Sequence, residues 1–336
     1  MKIILPGGSG QVGRLVAVSF SAEGHEVVVL GRNPGAGGKS PAAPWRTVAW
    51  DGRTLGPWTE EIEGADVVLN LAGRSVDCRY TAENRRRIVL SRVDSTRTIG
   101  EAIAQAARPP RVWLQMSTAT IYAHRYDAGN DEATGILGGN EPGVPDTWRF
   151  SIEVAKAWEA TLAEAKTPQT RKVALRSAMV MSPDRGGIFD VLLGLVRRGL
   201  GGASGDGRQY VSWMHGNDFL AAIRFLLDHE EIDGAVNLAS PNPLPNADFM
   251  RAIRQAWGTR IGLPANRWML EIGALFLRTE TELILKSRRV VPGRLLEAGF
   301  TFQFPEWTTA AGDLCKRWRE GGDARPRRAQ ALDYLG

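Results

Sequence analysis

Cysteine, histidine and lysine are scarce in this chain of 336 residues, at two, four and seven. Cys78 and Cys315 cannot build a disulfide framework, and neither has the paired spacing of a zinc site. The histidines, at 25, 124, 215 and 229, show no HExxH or comparable ligand spacing, so no metal is implied. Long apolar runs are missing too: none approaches the roughly 20 residues that span a bilayer. The N-terminal MKIILPGGSG passes from an apolar stretch straight into glycines, without the apolar core and cleavage site of a signal peptide. The expectation is a cytoplasmic chain with no membrane partner. Charge of one sign is barely in excess, since 42 bases, thirty-five of them arginine, stand against 37 acids to leave +5. Arg85, Arg86 and Arg87 read as the exposed basic face of a helix without the aromatic interleaving of single-strand binders, so no nucleic-acid partner is expected.

What is present is ordinary globular composition, 43% apolar and 24% charged, in a length that suits one large two-lobed unit. The runs KIILP (2–6), HEVVVL (25–30), ADVVLNLAG (65–73), RVWLQMST (111–118) and KVALRSAMVM (172–181) alternate with amphipathic stretches over 11–23, 82–107 and 148–165. That alternation predicts an α/β fold, a Rossmann-type doubly wound parallel sheet. VVVL and VVLNL are apolar on both faces and read as central strands covered by helices on either side. After about residue 180 the pattern turns to the glycine-rich GLGGASGDG (199–207), a helix over 217–228, the strand AVNLAS, and helices near 246–257 and 266–286. These predict a smaller C-terminal α+β lobe. NPGAGGKSPAAP (33–44) reads as a surface loop, and the charged, glycine-containing stretch after a helix ending near Trp318 as a frayed tail.

The sharpest local signal is GGSGQVG, the residues Gly7, Gly8, Ser9, Gly10, Gln11, Val12 and Gly13, which follow a strand and open a helix whose Val12, Leu15, Val16 and Phe20 share one face. Gly7 or Gly8 permits the tight turn, Gly10 lets the backbone approach a pyrophosphate, and Gly13 permits close helix packing. The helix N-terminus adds amide donors and the positive end of its dipole. A bound dinucleotide is therefore expected. After the second strand, where an NAD site would carry Asp or Glu for the ribose hydroxyls, stands Arg32; a guanidinium suits a 2′-phosphate, which makes NADP(H) the expected cofactor. Asp51, after the strand-like TVAW, is a candidate acceptor for the adenine amino group.

GGSGQVG, NLAG (Asn70 with Leu71, Ala72 and Gly73) and STATIY (117–122) resemble the cofactor fingerprint of extended short-chain dehydrogenase/reductases. SRVDSTR (91–97), KAWEA (156–160), GDGRQYVSWMH (205–215) and RVVPGRLLEAGFTFQFP (289–305) are similar to the atypical group labelled "epimerase family protein", and the resemblance runs from about residue 2 to about 315. It implies an epimerase-like NADP-binding domain joined to a characteristic C-terminal domain of unassigned function. It also implies chemistry by a Ser or Thr, a Tyr, and a Lys four residues after the Tyr. Thr118 matches the hydroxyl that would bond a substrate oxygen, with Ser117 as the neighbouring alternative, and Lys156 matches the lysine that would hold the nicotinamide ribose.

The tyrosine position, one helical turn before Lys156, is Ile152, and no tyrosine occurs between Tyr126 and Tyr210. Isoleucine cannot carry the proton that accompanies hydride transfer. Tyr122, Tyr126, His124, His215, Glu153 and water remain as alternative sources. In the stretch RQYVSWMHGND, the position of the family's sugar-diphosphate arginine holds Val211, and Arg208 lies seven residues before His215, which argues against a nucleotide-sugar substrate. Gln209, Trp213 and His215 are candidate pocket residues, against the alternative that they simply pack; Asn217 and Asp218 are expected to cap the helix that begins there.

The sequence thus predicts an NADP(H)-binding oxidoreductase or epimerase-like protein acting on a small hydroxyl or carbonyl substrate. The rival is a non-catalytic protein that senses NADP(H). Residues 1–180, with 210–240 returning, are assigned to the cofactor domain, 181–209 and 241–308 to a substrate-side lobe, and 309–336 to a C-terminal helix and basic tail. The resemblance also implies a homodimer formed through the helices after the fourth and fifth strands.

Overall fold

The computed structural model describes residues 1–32, 43–265 and 282–323. Its frame comes from strands whose alternate side chains are both apolar. Ile3 and Leu5 of β1 (Lys2–Pro6), Val27 and Val29 of β2 (Glu26–Gly31), and Val67 and Leu69 face one core. Ile4, Val28, Leu30, Val68 and Trp113 face the other. A strand that is buried on both sides needs a helix layer on each, and parallel crossovers supply them. Helix α1 (Gln11–Ala22) covers the first face with Val16, Ala17 and Phe20. Helix α2 (Ala82–Gln105) covers the second with Ile99, Ala102 and Ile103, joined by Leu162 of α3 (Asp146–Glu164).

With β3 (Arg46–Ala49), β4 (Val67–Asn70), β5 (Val112–Thr118), β6 (Arg171–Ser177) and a later strand, Gly234–Leu238, these make seven parallel strands. The order runs from Gly234–Leu238 through β6, β5, β4, β1 and β2 to β3, which is the doubly wound arrangement expected. One expectation is corrected: KVALRSAMVM is two strands. The Ala178 amide bonds the Leu238 carbonyl, and the chain then leaves the main sheet as β7 (Met179–Met181). Beyond it lie β8 (Tyr210–Val211) and β9 (Trp213–His215), and β9 pairs with β7 in parallel.

Helices α4 (Ile188–Arg197), α5 (Gly216–Asp228) and α6 (Asn246–Trp257) follow, with a last helix over Trp307–Asp323. α4, α6 and the last helix enclose a separate core in which the Phe249 and Trp307 rings stack at 4.1 Å. The last helix runs past Trp318, because Trp318 is buried there and its indole bonds Asp190 at 2.7 Å. Of the stretch 266–286 expected as a helix only 282–286 is described, and it is helical over Glu282–Leu285; 33–42 and 324–336, with most of the expected loop and tail, lie outside the described residues.

Candidate functional site

Strand order reverses between β1 and β4, so the loops leaving their C-terminal ends part and open a crevice there, where ligands of such sheets bind. The crevice has a volume of about 380 Å³ and is lined by Gly7, Gly10, Gln11, Val12 and Gly13 of the first turn and helix, by Leu71 and Met116, and by Ser177–Val180 with Ile188. A larger open cavity of about 1420 Å³, near Arg111, Arg171 and Lys172, lies at the opposite end of the strands. Of the four cations that line it, Arg111, Arg171 and Lys172 already donate to backbone carbonyls, so the crevice, which the first glycine turn enters, is the better candidate.

The glycines of the first turn have different reasons. Gly7 has φ +74°, and a Cβ on it would come within 2.6 Å of the Ala72 Cα; a Cβ on Gly13 would meet the Gly8 Cα at 2.4 Å. Both are demanded by the protein's own packing. Gly10 is exposed, and a Cβ there would meet only the Gly7 carbonyl, at 3.9 Å. It caps α1 without a side-chain hydrogen bond to the first-turn amides. Open space in front of uncapped amides fits the backbone approach of a pyrophosphate. Gln11 reaches across the crevice to donate to Ser182 Oγ at 2.6 Å. Ser9 is exposed at the tip of the turn, and Leu71, Ala72 and Gly73 form the facing turn, fixed by the Asn70 side chain accepting the Ala72 amide at 3.0 Å.

Arg32 stands exposed just beyond β2, and among the described residues nothing would meet a Cβ on Gly31. Asp51 is occupied locally: it accepts the amides of Arg53 and Thr54 at 2.8 and 3.0 Å and the Thr54 hydroxyl at 2.8 Å. Partial burial raises its pKa, but these amides outweigh that and hold it below the usual range.

At the end of β5, Thr118 Oγ1 accepts the Thr120 amide at 3.2 Å, which leaves its proton free for a further acceptor. Ser117 is buried and spends its proton on Glu159 at 2.6 Å. Glu159 also receives two bonds from Arg176, at 2.8 and 2.9 Å; Arg176 donates to the Tyr122 hydroxyl at 2.9 Å; and that hydroxyl donates to Asn237 at 2.9 Å. Tyr122 is thereby fixed as a structural hydroxyl at both its donor and acceptor sides, and burial raises its pKa. Lys156 Nζ donates to the Gly138 carbonyl at 2.6 Å, and among the described residues its two further protons meet no other acceptor. Ile152 is fully buried one turn earlier, beneath Gly138 and Gly139.

The candidate pocket residues pack. Gln209 is buried with its amide on the Ser204 and Ile284 carbonyls, and Trp213 lies 4.8 Å from the Trp307 ring, wholly buried. His215, also fully buried, is the N-cap of α5: Nδ1 accepts the Asn217 amide at 3.1 Å, which places the ring proton on Nε2, 3.1 Å from Asp313. Burial drives its pKa down to about 4 against the pull of Asp313. Asp218 is not the cap. It accepts the Gln303 and Phe304 amides at 2.7 and 3.0 Å, fastening the later chain to the start of α5. Among the remaining proton sources Glu153 is exposed, while the His124 ring lies 5.0 Å from that of Tyr126 and accepts the Ser287 amide at 2.8 Å.

Met116, Ser177–Val180, Ile188 and the Gln11–Ser182 bond were not legible as site features, because residues far apart in the chain make them.

Residues 3–239 match the model of the "NAD dependent epimerase/dehydratase family", and residues 267–314 match a "Domain of unknown function (DUF1731)". Epimerase family protein SDR39U1 of Bos taurus is 31% identical over 318 residues, 94% of this chain and 99% of its own length. Epimerase family protein YfhF of Bacillus subtilis is 25% identical over 316 residues, 94% of this chain and 98% of its own. The crystal structure of human epimerase family protein SDR39U1 (isoform 2) with NADPH superposes with a TM-score of 0.79 at 26% identity, covering 94% of this chain and 99% of that one.

Proposed function

The chain belongs to the NAD dependent epimerase/dehydratase family, and from that premise we propose that it binds NADP(H) and acts as an oxidoreductase or epimerase-like enzyme on a small hydroxyl or carbonyl compound. The observation that carries the reading is the turn at Gly10, where uncapped α1 amides face open space between two glycines that packing requires. The NADPH in the human relative's structure and the exposed Arg32 support the phosphorylated cofactor. Bound, that cofactor would supply or take up hydride at its nicotinamide.

The chain's own residues would do the rest. The free proton of Thr118 would orient the substrate oxygen, and the two unused protons of Lys156 would hold ribose hydroxyls. With Ile152 at the tyrosine position, the accompanying proton must come from another group, and the hydroxyl of Tyr122 and the ring of His215 are both committed to structure. The test is NADPH oxidation by the purified chain across a panel of small carbonyl compounds. Turnover is expected, with Thr118→Ala lowering it about 100-fold at little cost in NADPH affinity and Lys156→Ala weakening the affinity itself. No turnover in any member, with both variants unchanged in every measurement, would abandon the enzymatic reading.

Ile152 favours a second reading, in which the chain reports cofactor state without chemistry. It requires NADP⁺ and NADPH to bind with different affinities and a partner whose binding follows that difference. A homodimer through α2 and α3 is part of either reading, and sedimentation of the full chain measures it.

A further inference from the structure

Lys286 is a buried amine with too few acceptors. It is 1% exposed, and its Nζ donates to the Thr120 carbonyl at 2.7 Å. Among the described residues its two further protons meet no other acceptor, and no carboxylate lies within ion-pair distance of it. Glu282 of the same segment is spent on Arg288 at 3.0 Å and on the Ser151 hydroxyl at 2.8 Å. Glu141 lies near enough for its charge to act on Lys286 without pairing with it; its Oε2 accepts the Gly139 amide at 2.5 Å, while Oε1 is buried with no partner among the described residues. Donors and an acceptor left unmet in one buried place cost free energy that a polar ligand would relieve. Burial drives the Lys286 pKa down to about 7; Arg288 adds to that, and Glu282 and Glu141 oppose it. The other titratable group facing it is His124, whose own pKa is lowered by burial and then by Lys286.

Thr120 joins this amine to Thr118. Its amide donates to Thr118 Oγ1 and its carbonyl takes the Lys286 proton, so Nζ lies no more than about 10 Å from that oxygen. Arg288 Nε fixes the same residue by donating to the Thr120 hydroxyl at 3.1 Å. On α3 the segment is fastened through Ser151, the neighbour of Ile152. Lys286 is thus held against both the strand end that carries Thr118 and the helical turn where the tyrosine is missing. We propose that Lys286 is the catalytic acid–base group that stands in for that tyrosine, exchanging a proton with the substrate oxygen directly or through one water. The inference rests on the enzymatic NADP(H) reading above and deepens it. In the reducing direction the carbonyl carbon takes hydride from NADPH, the electron pair of the broken C=O π bond moves to oxygen, the ammonium proton joins that oxygen, and the amine left behind regains a proton from water; oxidation reverses each transfer. Lys286 lies within 267–314, the segment matched to a domain of unknown function, and would give that segment a part in the chemistry.

The charge on Lys286 is read first without turnover. NADP⁺ carries a positive nicotinamide and NADPH a neutral one, so an ammonium beside the ring weakens NADP⁺ alone, while the 2′-phosphate is common to both and cancels in their ratio. The full chain is titrated with NADPH by fluorescence, and NADP⁺ is measured by displacement, from about pH 6 to about pH 8.5. The NADP⁺/NADPH affinity ratio should rise about tenfold as pH passes through about 7. Lys286→Met should hold the ratio at its high value at every pH, and Lys286→Arg, permanently charged, at its low one. With a carbonyl compound of the panel, kcat/KM for reduction should fall above about pH 7, and Lys286→Met should lose about 100-fold or more together with that limb, at little cost in NADPH affinity. If Lys286→Met does not fold, Lys286→Gln, which keeps a donor for the Thr120 carbonyl, replaces it with the same expectations. A ratio that is flat in wild type, or a pH dependence that survives in the variants, overturns the proposal and leaves the cofactor reading standing. A limb that persists in Lys286→Met and vanishes in His124→Asn overturns it too, and moves the role to the histidine. A chain that binds neither nucleotide, or that reduces no member of the panel, removes the enzymatic reading and this inference with it.

Discussion

Arg32 and His215 show how differently two basic residues can be used. The first is exposed at the end of β2, so its contribution belongs to whatever phosphate it meets. Arg32→Glu is expected to lower NADPH affinity by about tenfold or more while NADH affinity holds, and an unchanged ratio in a paired titration removes the 2′-phosphate assignment. His215 is closed in, and its acceptor Nδ1 is needed neutral by the Asn217 amide. Its pKa is about 4 in the folded chain against 6.5 as an ordinary histidine. The unfolded chain therefore takes up the proton first on acidification. The stability this neutral ring contributes is complete above about pH 6.5 and is lost as pH falls towards about 4, by up to ~3 kcal/mol in all. Urea unfolding at several pH values measures the slope. His215→Asn keeps a cap acceptor and should flatten it; an undiminished slope would show that other groups carry the acid sensitivity.

Among the elements, α3 and β6 are joined by the Glu159–Arg176 pair, whose side chains are 17% and 10% exposed. Removing either partner leaves the other charge nearly buried without compensation, which costs about 3 kcal/mol, whereas removing both costs less than the sum. Thermal unfolding of Glu159→Gln, Arg176→Met and the double variant provides that comparison; strict additivity would mean the pair is not coupled. Elements were also where sequence reading worked best. Strands apolar at every position, such as VVVL, announce burial on both faces, and α6 shows its limits plainly because Gly258 closes it in a left-handed conformation. The first glycine turn was legible for the same reason: strand, turn and helix are contiguous. What stayed hidden depends on pairings across the chain. Nothing local in KVALRSAMVM marks the departure at Ala178, which is set by the Leu238 carbonyl, and no spacing rule joins Tyr122 to Asn237. Asp218 misled because a carboxylate near a helix start reads as a cap, while the amides it holds arrive 85 residues later.

For the molecule as a whole, the C-terminal chain is part of the first sheet's integrity. Asn237 in the edge strand donates to the Val291 carbonyl, Glu132 accepts the amides of Asn237 and Arg294, and Asp218 holds Gln303 and Phe304. Burial raises the pKa of both carboxyls, so without these amides each would be left poorly satisfied. The full chain should melt in one transition, and a fragment of residues 1–265 should show none. A cooperatively melting fragment would establish the cofactor domain as independent. The same unity bears on Gln11, which opens the helix beside the crevice and yet bonds Ser182 on the approach to α4. A dinucleotide that steadies the first turn would also steady that approach. Amide hydrogen exchange over 183–190 should therefore slow when NADPH binds and lose much of that response in Gln11→Ala. One amide side chain would then serve as a tether through which the second lobe registers whether the nucleotide is present.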